Sequence, residues 1–117
     1  MNIMFKSTRG DKNYVTASQA IVQGIANDGG LFVPETIPTI DFPLEKITEM
    51  SYQELAYEVL KLILTDYTEE ELKYCINSAY DEKFDTKLIA PLVSAGNGNF
   101  LELFHGKTIA FKDMALS

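Results

Sequence analysis

The sequence predicts an α+β fold: a small amino-terminal domain with a β-hairpin and about three helices, followed by the first strand, loop and helix of a second unit. Start signals of the Ser/Thr-x-x-Glu/Gln type open each of three stretches with helical apolar spacing. Short apolar runs bounded by Gly, Pro and Asn mark the strands between and after them. No internal repeat or low-complexity tract interrupts this order.

The first sixteen residues read as the hairpin. Ile3, Met4 and Phe5 lead into Ser7 and Thr8, a polar turn runs from Arg9 to Asn13, and Tyr14-Val15-Thr16 returns. Gly10 and Asn13 tolerate the positive φ that such a turn needs. Thr16 with Gln19 opens the first helix, which sets Ala17, Ala20, Ile21 and Ile25 mainly on one face and closes before Asp28-Gly29-Gly30. Leu31-Phe32-Val33, closed by Pro34, reads as a short strand. Pro38 and Pro43 keep the following stretch extended and argue against helix there.

Ser51 with Glu54 opens the second helix, where Leu55, Val59, Leu62 and Ile63 keep helical spacing. Leu60 and Leu64 widen that stripe, so this helix is expected to be well buried. Thr68 with Glu71 opens the third, carried by Leu72, Cys75, Ile76, Ala79 and Tyr80. Ala95 to Asn99 then reads as a loop, Phe100 to Phe104 as a strand, and Lys112 to Ser117 as the first turn of a helix. The expected organisation is an amino-terminal domain over residues 1–80, then a connecting segment and an incomplete second unit over 81–117.

Composition narrows the function classes. With 46% apolar and 23% charged residues in 117, the chain is an ordinary soluble globular protein. No apolar run approaches the ~18 residues of a membrane span. The start, MNIMFKSTRGDK, lacks the apolar core of a secretory signal. The net charge of −7, from 17 acidic and 10 basic residues, repels phosphate backbones and anionic membranes, so neither nucleic acid nor membrane is an expected partner. The single Cys75 suits a reducing, cytoplasmic setting and, on an apolar helical stripe, reads as a buried structural thiol.

Several residues could carry chemistry. One His and one Cys make no zinc site, no glycine-rich phosphate loop is present, and no metal is expected. Glu69-Glu70-Glu71 at a helix start reads as a solvated, dipole-favoured face. Lys112 stands between Phe111 and Asp113, just past the apolar Ile109-Ala110-Phe111. A lysine attacks a carbonyl only as the neutral amine, so it needs surroundings that disfavour its charge. Apolar packing and a helix start act in that direction, and Asp113 acts against it unless it points elsewhere. By position alone Lys112 is a nucleophile or one half of a surface pair, and His105 is a base, a ligand or a structural hydrogen-bonding residue.

Taken together, three stretches are more specific than any one. Ser7-Thr8-Arg9-Gly10 follows the opening strand, Gly24 to Pro34 reads GIANDGGLFVP, and Glu102 to Asp113 reads ELFHGKTIAFKD. In this order and at these separations the sequence resembles the amino-terminal region of threonine synthases, over residues 5–117. That resemblance implies a tryptophan-synthase-β type fold and a pyridoxal 5′-phosphate enzyme, a carbon–oxygen lyase acting on phosphates. Such enzymes convert O-phospho-L-homoserine and water to L-threonine and phosphate in threonine biosynthesis. It makes Lys112 the Schiff-base lysine and proton carrier, with Phe111 and Asp113 as flanking cofactor-binding supports, and offers Thr8 and Arg9 as candidates for the substrate phosphate.

The family usually has Pro where this chain has Lys107, which loosens the turn before Thr108 and adds a cation near a phosphate-binding site. The family's cofactor-phosphate loop and the residue facing the pyridine nitrogen lie downstream of the lysine. The expectation is therefore an amino-terminal portion that is inactive and holds cofactor poorly by itself. Two readings stand beside this one. The first is a free-standing, non-catalytic domain of the same ancestry that binds or scaffolds a partner. The second is another pyridoxal-phosphate enzyme of the β-elimination or replacement type. The STRG and DGGLFVP elements argue against the latter, because those enzymes lack this leading domain.

Overall fold

A computed structural model of the chain describes residues 2–116. Ser117, the last residue of the expected terminal helix, lies outside the described residues, as does Met1. The fold is mixed helix and strand. β1 (Phe5–Ser7), α1 (Ala17–Gln23) and β2 (Phe32–Pro34) come first, followed by a 3₁₀ helix (Leu44–Glu49), α2 (Tyr52–Leu60) and α3 (Glu69–Ala79). The hairpin β3 (Leu92–Ala95) and β4 (Gly98–Leu101) and the short α4 (Asp113–Leu116) complete it.

The helix starts form where the sequence places them. Thr16, Ser51 and Thr68 each accept the backbone N–H three residues on, and Gln19, Glu54 and Glu71 each reach back to the cap N–H. Two backbone donors at each start are thereby satisfied. The stop of α1 is Gly24, whose φ of 76° is open to glycine but strained for other residues. The helix ends there, so Ile21 and Ile25 stay 59% and 61% exposed and only Ala17 and Ala20 of the expected stripe are buried.

Other expectations are corrected. The strand partner of β1 is β2, antiparallel with Phe5 opposite Pro34 and Ser7 opposite Phe32. The expected return strand meets β1 only in one bridge, between Phe5 and Val15. The turn between them is drawn instead toward Asp28, which receives the Asp11 N–H at 2.9 Å. The stretch after Pro43 winds into the 3₁₀ helix, with Pro43 in the cap position where its missing N–H costs nothing. Gly98 and Asn99 belong to β4, so the loop narrows to a tight turn around Gly96 and Asn97, and the strand stops at Leu101.

α2 is half-buried rather than well buried, because it packs on α3 along one side and no residue of it is fully covered. A groove lined by Met50, Tyr57 and Ile76 runs between it, the 3₁₀ helix and α3. Cys75 is exposed. Leu72 and Ile76 carry the buried line of α3 at i, i+4 spacing, and Cys75 falls off to one side.

One core cluster holds Phe5, Ala17 and Ala20, with Ile3, Val15, Phe32, Ile63, Leu64 and Tyr67 packed against it. Long closures seal it: the Ile3 N–H donates to Thr65 Oγ1 at 2.8 Å, and Ser18 Oγ donates to Asp66 at 2.6 Å. Burial alone would raise the Asp66 carboxyl, but the Ser18 and Thr16 hydroxyls and the Ser18 N–H outweigh it and hold the carboxyl low. Leu72, Ile76, Phe84 and Ile89 are buried farther along.

Candidate active site

The STRG and DGG stretches, some twenty residues apart, are brought into direct contact. Ser7 Oγ donates to Asp28 Oδ1 at 2.6 Å, and the Gly30 N–H donates to the same oxygen at 3.0 Å. These donors, with Ser7 foremost, hold the Asp28 carboxyl below the usual carboxylate range. A Cβ on Gly30 would lie 2.1 Å from Ser7 Oγ, so this contact admits only glycine. Thr8 Oγ1 accepts from the Leu31 N–H at 3.0 Å, and Arg9 Nη1 donates to the Asp28 carbonyl at 3.3 Å. Thr8 and Arg9 therefore serve this latch first, and both remain exposed.

The second constellation surrounds the turn from His105 to Lys112. His105 is bracketed, with Nδ1 2.5 Å from Asp85 Oδ1 and Nε2 2.7 Å from Glu102 Oε2. The Asp85 N–H also donates to the His105 carbonyl at 3.0 Å. Glu102 and then Asp85 raise the imidazole above its ordinary value and favour its charged form, which donates from both nitrogens. His105 is thus the structural hydrogen-bonding residue, pinning the start of the turn to the segment after α3. Glu102 stands three residues before His105, a spacing visible in ELFH, whereas Asp85 carries no local signal.

Past His105 the chain folds back on itself. Asp113 accepts from the Thr108 N–H at 2.8 Å and from Thr108 Oγ1 at 2.6 Å. Gly106 is buried against it: a Cβ there would lie 2.4 Å from both Cβ and Oδ2 of Asp113. Ile109 takes φ 66°, a left-handed conformation costly for a β-branched residue. Lys107 projects into solvent at this turn. Lys112 immediately precedes α4 and is exposed, and its side-chain amine makes no hydrogen bond or ion pair among the described residues. Phe111 beside it is 66% exposed. Phe111, Lys112 and Asp113 follow one another on this turn, with the Asp113 carboxylate engaged by Thr108.

Residues 4–80 match the family profile described as threonine synthase N terminus. The chain belongs to the threonine synthase family. It is 40% identical to threonine synthase of Schizosaccharomyces pombe over 97% of this chain and 23% of that protein. Human threonine synthase-like 2 is 38% identical over 97% of this chain and 24% of its own length. Among solved structures, a PLP-bound threonine synthase from Brucella melitensis superposes with a TM-score of 0.85 at 35% identity, over 98% of this chain and 25% of that one. Threonine synthase from Escherichia coli superposes with a TM-score of 0.76 at 27% identity, over 95% of this chain and 25% of that one. The fold is thus that of the amino-terminal part of threonine synthases. The chain spans about a quarter of the length of these relatives. Among the described residues no helix is long and apolar enough to cross a membrane.

Proposed function

We propose that the chain is the amino-terminal portion of a pyridoxal-phosphate-dependent threonine synthase, a lyase acting on O-phospho-L-homoserine and water to give L-threonine and phosphate. The observation that carries this reading is the Lys112 turn. A lysine that is to hold an aldehyde cofactor must present a reachable amine that no other group occupies. Lys112 is exposed, and its acidic neighbour engages Thr108 instead. The residues present fit the cofactor in that respect, and the PLP-bound threonine synthase from Brucella melitensis supports the same group here. Lys112 holds the cofactor, Phe111 offers an apolar ring beside it, and Asp113 fixes the turn that presents it. When bound, the cofactor supplies the electron sink for chemistry at the substrate's α- and β-carbons. Lys112 would hold the cofactor through Nζ, and the same amine, when not so engaged, would carry protons at the substrate.

These 117 residues hold one lysine of a site that the relatives build from chains about four times as long, so the isolated polypeptide is expected to be inactive. The test is Lys112→Ala in the natural gene product. Borohydride reduction should leave no phosphopyridoxyl group on the variant, and threonine formation should stop with the circular dichroism unchanged. A variant with normal turnover would overturn the assignment.

A further inference from the structure

A tether reaches the Lys112 turn from the amino-terminal side. Tyr80 caps α3 and is the last residue matched by the family profile. Its hydroxyl donates to the Met114 carbonyl at 2.9 Å, across 34 positions of sequence. Met114 lies on the same short turn as Lys112, whose own carbonyl accepts the N–H groups of Ala115 and Leu116 at 3.0 Å. Whatever fixes Met114 therefore fixes the backbone from which the Lys112 side chain departs.

Tyr80 is itself held on several sides. Its ring meets Tyr52 edge-on at 4.8 Å and Phe84 at a tilt at 6.0 Å. Its carbonyl accepts from Gln53 Nε2 at 2.5 Å. Burial, and then the adjoining Tyr80 hydroxyl, push the Tyr52 phenol up to about 12, so Tyr52 keeps its proton throughout the working range. Tyr52 and Gln53 open α2, and Tyr80 closes α3, so one residue, through its ring and its carbonyl, gathers the ends of both helices, and its hydroxyl ties them to α4.

We propose that Tyr80 is a positioning residue for Lys112, fixing the lysine-bearing turn to the α2–α3 pair through the Met114 carbonyl. The inference rests on the assignment of Lys112 made above. The Tyr80 hydroxyl bonds a backbone carbonyl, so its effect on turnover comes from placement, where small displacements are costly.

The test uses Tyr80→Phe in the natural gene product. Phenylalanine keeps the ring against Tyr52 and Phe84, so the fold survives. In the cofactor-free protein, amide exchange over residues 113–116 should speed up about tenfold. In the loaded protein kcat should fall about tenfold with KM unchanged, short of the ~10²-fold that a 1 Å misplacement costs. Tyr52→Phe, which removes the neighbouring hydroxyl, should leave both readouts as they were.

Unchanged exchange in Tyr80→Phe overturns the proposal, as does faster exchange with undiminished kcat. Equal effects from Tyr52→Phe overturn it too, by placing the hold in the aromatic cluster. Failure of the underlying assignment is seen separately. A phosphopyridoxyl adduct that persists on Lys112→Ala removes the lysine's role, while exchange without cofactor still reports whether Tyr80 holds the turn.

Discussion

Asp113 bends its carboxylate back onto Thr108, taking the N–H at 2.8 Å and the hydroxyl at 2.6 Å, rather than pairing with Lys112 beside it. The acidic neighbour thereby serves as the clasp of the lysine's turn. Gly106 makes the clasp possible by leaving room for the Asp113 side chain.

Gly106→Ala should therefore open the turn. The added Cβ, 2.4 Å from Asp113, must displace the carboxylate, with a loss of about 1–3 kcal/mol typical of overpacking. Urea unfolding should show the lowered midpoint, and borohydride labelling of Lys112 should fall with it. An unchanged midpoint together with full labelling would mean that the clasp does not shape the turn.

Gly30→Ala should destabilise the amino-terminal latch by a similar ~1–3 kcal/mol, since its Cβ would sit 2.1 Å from Ser7 Oγ. The cause can be isolated with a double-mutant cycle. In a Ser7→Ala background the clashing oxygen is gone, so adding Gly30→Ala should cost clearly less than it does alone. Strict additivity would count against the Ser7–Gly30 contact as the reason.

The His105 bracket should respond to pH. Its imidazole is raised above the ordinary 6.5 by Glu102 and Asp85. A group raised on folding contributes fully below its unfolded value, and that contribution fades as pH rises through the folded value. The Tm advantage of the wild type over His105→Asn should therefore be largest near about pH 6 and shrink toward about pH 9. An advantage that grew with pH would show that the imidazole is held neutral.

The helix starts were legible because a capping box is written within four residues, as in Thr68 and Glu71. The partner of β1 was not, because strand pairing is settled by distant contacts. Asp28 draws the Arg9–Asn13 turn toward itself and leaves Val15 a single bridge to Phe5. At the site, Lys112 is conspicuous in AFKD, and Glu102 lies at a readable spacing from His105. Tyr80 reads simply as one more apolar position on α3, and nothing local ties it to Met114. Cys75 falls outside the buried stripe of α3, which is narrower than its apolar pattern suggests.

The contacts also differ widely in span. The Asp113–Thr108 clasp closes over five positions, and the Ser7–Asp28 and Asp85–His105 contacts over about twenty. The seals at Ser18–Asp66 and Ile3–Thr65 bridge 48 and 62. Loop-closure entropy grows with length, so the short clasps cost least to close and the two long seals cost most. Thr65 and Asp66 therefore hold the costliest closures among these contacts, so weakening either should loosen the amino terminus before the residues around Lys112.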